Sequence, residues 1–327
     1  MHDPLSSIYA AALWTRNRFY DQRIFKARRL AGPVISVGNV SVGGSGKTPF
    51  VILLGELLKQ RGIPFDVLSR GYARATRGVL EVDPSGSPRD FGDEPILIAR
   101  RLGVPVFVGE DRYRAGLLAE KTFGSQLHLL DDGFQHRALA RDFDMVLLSP
   151  EDLKDKLLPI GRLREPVSSL HRANAIVVSE EFVLTEALTD VLTKEKQSRS
   201  LPHKILWRTR RGISLTNVLE RPIVFCGIAQ PGKFVDQLRQ AGVVPAATRF
   251  YRDHHAYSPT DIRHLLELRE RNNAAGFVTT EKDVINLGAH LNALGAVAVA
   301  TVTLELLNSA DALDNILRAI HSRKARA

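Results

Sequence analysis

Residues 34–49 read Val-Ile-Ser-Val-Gly-Asn-Val-Ser-Val-Gly-Gly-Ser-Gly-Lys-Thr-Pro, an apolar β-type run, a glycine loop and a helix start in direct succession. Gly43, Gly44 and Gly46, with Ser45 between them, let the backbone curl so that successive N–H groups and a helix N-terminus converge on one point, which suits a phosphate chain. Lys47 offers a cation for β and γ phosphates, and Thr48 a hydroxyl for Mg²⁺. The strict G-x-x-x-x-G-K-[ST] pattern is not met, because its first glycine would fall at Ser41. Partitioning-type ATPases carry a lysine just before the paired glycines, and Val42 stands there instead. The segment predicts an α/β nucleotide-binding domain with a mainly parallel sheet.

The rest of the chain keeps that rhythm. Strands are expected over 34–37, 65–69, 104–108, 126–130, 145–148 and 175–178, helices over 48–61, 95–102 and 112–123, and an inserted hairpin over 78–88. A polar stretch of helical character over 180–200 precedes a second run of alternation. Strands at 223–225, 277–279 and 297–303 are expected there, with a helix over 233–241 and another between the last two strands. The expected organisation is a P-loop domain over 31–200 with helices on both faces, then a smaller C-terminal α/β domain over 201–327.

Composition narrows the partners. With 44% hydrophobic and 25% charged residues, the chain is neither disordered nor fibrous. The single cysteine, Cys226, excludes an intrachain disulfide and a cysteine zinc site. Lys and Arg number 45 against 36 Asp and Glu, a net charge of +9 that suggests an anionic partner: nucleic acid, a phosphorylated substrate or a membrane surface. No apolar run approaches the roughly 18–20 residues needed to span a bilayer. Residues 1–30 hold Arg16, Arg18, Arg23, Lys26, Arg28 and Arg29 against Asp3 and Asp21, a net of +4. Leu5, Ile8, Tyr9, Ala12 and Leu13 recur there at helical spacing, and Trp14 adds an interfacial anchor type. Such a basic amphipathic helix suits an anionic leaflet, although Arg16 and Arg23 fall on its apolar stripe.

Three further segments hold candidate chemistry. Asp131 and Asp132 end an apolar run before Gly133, where an α/β nucleotide fold places the carboxylate that serves Mg²⁺. Asp93 and Glu94 precede Pro95; either could cap a helix or act as general base. Residues 249–257 read Arg-Phe-Tyr-Arg-Asp-His-His-Ala-Tyr, and His254 and His255 lack a third metal ligand at a convincing spacing. Arg70, Arg74, Arg112, Arg162 and Arg164 follow glycines or expected strand ends, where an anionic acceptor would lie.

In chain order the motifs GNVSVGGSGKTP, LSRGYAR, GDEP, VGEDR, LDDGFQH, GRLREP, CGIAQPGKF, RDHHAYS and TTEKD resemble the tetraacyldisaccharide 4′-kinase family, the lipid A 4′-kinases of Gram-negative bacteria. The resemblance runs from about residue 33 to 285. It implies ATP- and Mg²⁺-dependent phosphorylation of the 4′-hydroxyl of a tetraacylated glucosamine disaccharide 1-phosphate. It also implies that Asp93, paired with His254 and oriented by it, accepts the hydroxyl proton as catalytic base, that Lys47 and Thr48 are the phosphate-loop residues, and that Asp131 and Asp132 serve the metal. Arg164 would lie near the nucleotide, and Asn39, Ser69, Arg70, Tyr72, Arg74, Arg112, Gln135 and His136 near the sugar and its phosphate. Arg162 stands where the family motif has proline. A peripheral, monomeric enzyme at the cytoplasmic face of the inner membrane, without nucleic-acid partners, is the expectation. The rivals are a soluble small-molecule kinase and a metallochaperone-type GTPase switch; Glu281-Lys282-Asp283 approaches a guanine motif but is out of register by one.

Overall fold

The computed structural model describes residues 4–44, 46–124, 126–183, 205–307 and 309–324. Ser45, most of the expected 180–200 helix and the expected domain boundary near residue 200 lie outside the described residues. In chain order the elements are α1 (Pro4–Asp21), β1 (Val34–Asn39), α2 (Lys47–Gln60), β2 (Phe65–Ser69), β3 (Leu80–Glu81), α3 (Pro88–Phe91), α4 (Asp93–Leu102), β4 (Val106–Val108), α5 (Arg112–Phe123), β5 (Leu127–Asp131), β6 (Phe143–Leu147) and β7 (Ala175–Ser179). There follow β8 (Ile205–Leu215), β9 (Ile223–Cys226), α6 (Pro231–Gln240), β10 (Ala247–Phe250), α7 (Pro259–Arg271), β11 (Phe277–Thr280), α8 (Glu281–Leu287), α9 (Leu291–Leu294), β12 (Val297–Leu306) and α10 (Ser309–Lys324).

All twelve of these strands form one sheet in the order β10-β9-β11-β12-β8-β7-β6-β1-β5-β2-β4-β3. Pairing is parallel except at β3–β4 and β8–β12. Strands buried on both faces need helices on both, and alternation along β1 and β5 supplies the two surfaces. Ile35, Val37, Leu127 and Leu129 pack with Leu54 of α2, Ile98 of α4 and Ile316 of α10, whereas Val34 and Leu130 pack with Ala115 and Ala119 of α5. Near the other edge, Val224 packs with Leu238 of α6, and Phe225 with Leu265 of α7 on the opposite face. Trp207 of β8, Ile285 of α8 and Leu306 of β12 belong to the same apolar cluster as α2 and α4.

The β1, β2, β4 and β5 C-terminal ends lie side by side, with Leu68 level with Leu130 and Val37 level with Asp131. That is the edge of an open parallel sheet where ligands bind. The expected apolar stripe of α1 is divided. Leu13 is buried and Tyr9 half-buried against the body, whereas Leu5, Ile8 and Trp14 are exposed by 62%, 66% and 68%. Arg16, which interrupts that stripe in sequence, reaches the fully buried Glu165 at 3.3 Å, and Arg172 meets the same carboxylate at 2.8 Å. No helix among the described residues is long and apolar enough to cross a membrane.

Candidate active site

The glycine loop joins β1 to α2. Gly43 (φ 102°) and Gly46 (φ 81°) sit in the left-handed region that side chains resist, and Gly46 caps α2 without a side-chain hydrogen bond. The first-turn N–H groups of α2 therefore face the loop mouth with the positive end of the helix dipole. Thr48 is buried in that turn. Lys47 Nζ donates to Asn39 Oδ1 at 3.2 Å and lies 3.6 Å from Asp132.

The two strand-end aspartates differ in state. Asp132, held at φ 51°, accepts both arms of Arg164 at 2.7 and 2.9 Å. Burial would raise its carboxyl, but the Arg164 fork and the Lys47 charge hold it well below the usual range. Arg164 also donates to Asn39 Oδ1, and Gln135 donates to the Asn39 carbonyl at 2.9 Å. Asp131 accepts from Ser69 Oγ at 2.9 Å, and its Oδ1 has no partner. Burial, reinforced by the charges of Glu94 and Asp132, pushes Asp131 up to about 7.

The loop after β10 reaches helix α4. His254 Nδ1 lies 2.8–2.9 Å from both Asp93 oxygens. The pair joins residues 161 positions apart in the chain. His254 adopts φ 57°, uncommon for a residue with a Cβ and characteristic of functional loops. Asp93 also accepts from the Glu94 amide at 2.8 Å and from Asn286 Nδ2 at 3.1 Å. Burial alone would raise Asp93, yet the His254 hydrogen bond, the Lys282 charge and the Asn286 amide bring it down to about 2. The hydrogen bond to Asp93 raises His254 above its ordinary value, against the effect of burial. Tyr72 is largely exposed, with its ring 5.5 Å from the His254 ring.

The expected arginines partly converge. Arg112 is buried at the start of α5, with Nη1 donating to the Glu110 carbonyl at 2.8 Å and Nε unpartnered. Burial and Arg70 lower its pKa. Arg74 folds inward onto the Glu110 carboxylate at 3.2 Å, while Arg70 stays exposed. His136 is brought down to about 4 by burial and the Arg112 charge, so its ring is neutral. Arg162 turns away to Asp155 at 2.8 Å. His255 bonds to Asp261 at 3.2 Å and stacks on Tyr251. No group of three or more His, Cys, Asp or Glu side chains able to hold a metal occurs among the described residues.

Residue-type reasoning missed Asn286 and the second use of Glu94, and singled out Lys282 only as part of a near-guanine motif. Lys282 Nζ meets Glu94 at 2.5 Å, and Glu281 meets Arg101 of α4 at 3.0 Å. Asp283 accepts from the Gly227 amide at 2.8 Å and from the Tyr257 hydroxyl at 2.7 Å. Every charged residue of the TTEKD motif thus ties one part of the site to another.

The family model for tetraacyldisaccharide-1-P 4′-kinase matches residues 1–321. A protein named tetraacyldisaccharide 4′-kinase from Koribacter versatilis is 45% identical over 98% of this chain and 99% of its own length. Another of the same name, from Chlorobaculum parvum, is 34% identical over 98% of this chain and 94% of its own. The crystal structure titled as the apo form of LpxK from Aquifex aeolicus in complex with ATP superposes with a TM-score of 0.77 at 33% identity, covering 97% of this chain and 98% of that one. With an α/β fold, a family model that matches residues 1–321 and a relative 45% identical over 98% of the chain, the protein belongs to the tetraacyldisaccharide-1-P 4′-kinase family.

Proposed function

We infer that the chain transfers the γ-phosphoryl group of ATP to the 4′-hydroxyl of a tetraacylated glucosamine disaccharide 1-phosphate, forming the 1,4′-bisphosphorylated lipid A precursor. The observation that carries this reading is the Asp93–His254 pair, held at 2.8 Å, with the adjoining Glu94 near enough to Asp131 at the acidic strand end to raise its carboxyl. Residues 31–200 act as the nucleotide unit, and residues 201–327 bring His254 over it. ATP phosphates rest on Gly43, Gly44, Ser45, Gly46 and the α2 N-terminus. Lys47 neutralises charge on the group in transfer, and Arg164 keeps Asp132 and Asn39 in place beside it.

Thr48, Asp131 and Asp132 fit Mg²⁺, since all are hard oxygen donors and the buried Asp131 Oδ1 lacks a partner. Bound there, Mg²⁺ would supply charge neutralisation on the β and γ phosphates. The proton of the attacking hydroxyl goes to the Asp93–His254 pair. Asp93 is buried and already accepts from several donors, so it is a weak base that orients the ring, and the more exposed His254 receives the proton. Asn39, Ser69, Arg70, Tyr72, Arg74, Arg112, Gln135 and His136 surround the sugar and its phosphate. The exposed Leu5, Ile8 and Trp14 of α1 enter the headgroup layer at the cytoplasmic face of a Gram-negative inner membrane. The enzyme works there as a monomer. At saturating substrate, Asp93→Asn and His254→Ala should each lower kcat by roughly 10²–10⁴. Near-normal turnover in both would overturn this assignment.

A further inference from the structure

Where the segment after α1 meets the loop after β5, a cavity of about 560 Å³ opens on the surface. Five cationic side chains line it, Arg23, Lys26, Arg29, Arg137 and Arg141, and Asp144 is the one acid among the lining residues. Three of the five are fixed by carboxylates at 2.7–2.9 Å: Arg137 by Asp21, Arg29 by Asp142, and Arg141 by Asp144. Arg23 and Lys26 make no ion pair with a described residue, and Arg23 is held at φ 59°. Phe25, 44% exposed, is among the lining residues and packs edge-on against Phe19 and Tyr20, and its chain neighbour Ile24 is 58% exposed. Arg137 in turn lies 5.0 Å over the Tyr20 ring.

Fixed guanidiniums, two uncompensated cations and an apolar lip make a receptor for an anion attached to something greasy. A soluble anion would gain nothing from Ile24 and Phe25, whereas a phosphodiester at a bilayer surface brings acyl chains to meet them. Arginine forks match phosphate oxygens, and each basic residue near an anionic leaflet adds attraction of its own. We propose that this cavity binds the phosphate headgroup of an anionic phospholipid of the surrounding bilayer, outside the catalytic cleft. The proposal rests on the reading of α1 as an interfacial helix and adds a defined headgroup site to it.

Co-sedimentation of the full chain with vesicles of phosphatidylcholine, with and without phosphatidylglycerol, tests the site. The double substitution Arg23→Gln/Lys26→Gln is compared with Arg239→Gln/Arg318→Gln, which removes the same charge from distant surface. Loss of about tenfold or more in partition to anionic vesicles is expected for the first, and less than about threefold for the second. Equal loss in both means diffuse attraction and overturns the site while leaving the helix reading intact. Ile8→Ser/Trp14→Ser separates the two ideas, because unchanged partition of that variant sinks the helix reading itself. Turnover in neutral detergent micelles should be unaltered by Arg23→Gln/Lys26→Gln. A raised KM there would assign the cavity to the substrate's own phosphate and overturn the proposal. So would stabilisation of the chain by glycerol 3-phosphate together with vesicle binding that ignores the double substitution.

Discussion

Asp131 and Asp132 are neighbours in sequence and opposite in state. Arg164 and Lys47 hold Asp132 ionised, whereas burial pushes Asp131 up to about 7. A carboxyl raised above its unfolded value of about 3.9 costs stability as pH climbs from there through the folded pKa. Asp131→Asn should therefore raise the melting temperature of the nucleotide-free chain more at pH 8 than at pH 5, by roughly 2–4 °C for each kcal/mol relieved, while phosphoryl transfer falls. A lower melting temperature at pH 8 would contradict this electrostatic picture. For the Asp93–His254 pair the signs are the reverse. Asp93, lowered to about 2, contributes stability above roughly pH 4 that is lost as pH falls through 2. His254, raised, contributes stability below about pH 6.5 that fades as pH rises through its folded pKa. If His254 takes the proton, kcat/KM should rise with pH along an acid limb centred above about 6.5, and His254→Gln should abolish that limb. A profile flat down to pH 5 would return the role of base to Asp93. Lys47→Ala should cost at least as much as loss of the base, roughly 10²–10⁴ or more in kcat, because the transfer is dominated by charge and positioning.

Helices α4 and α8 couple the Asp93–His254 pair to the rest of the fold. Lys282 lies between Glu94 at 2.5 Å and the Asp93 charge, and Arg101 bridges Glu56 and Glu281. Lys282→Met leaves Glu94 half-buried without its partner and should lower stability in urea unfolding by about 1–3 kcal/mol, reduced by partial exposure of the pair. Glu94→Gln with Lys282→Met should recover part of that loss; a double variant no better than the single would argue against the ion pair. None of these links has a sequence signal, since their partners stand 45, 180 and 188 residues apart and only the tertiary fold joins them. Elements with strong local patterns were legible: the expected 65–69 strand and 112–123 helix coincide with β2 and α5. β8 was not, because Arg208, Arg210 and Arg211 interrupt its apolar alternation. Nor was β10, a short edge strand with little burial. Helices α7 and α10 were also passed over, although each has an apolar stripe on the core side. In α1 the stripe was visible, but which half faces protein was settled by Glu165, a buried carboxylate that draws Arg16 inward.

At the scale of the whole molecule, one sheet runs from β10 to β3, and the apolar cluster under α2 and α4 takes in Trp207, Ile285 and Leu306. The proposed catalytic residues hang from strand ends, helix starts and the loop after β10 of that frame, which explains how Asp93 and His254, far apart in sequence, meet. Part of the net charge of +9 gathers just after α1, where Arg23, Lys26 and Arg29 line one cavity with Arg137 and Arg141. The central claim is a transfer from ATP to lipid. Purified full-length chain is incubated with γ-labelled ATP, Mg²⁺ and tetraacyldisaccharide 1-phosphate in detergent micelles, and the lipid is extracted and resolved. Label is expected in a bisphosphorylated lipid, dependent on Lys47 and His254. ATP turnover without label in the lipid, or label passed only to a soluble acceptor, would contradict it.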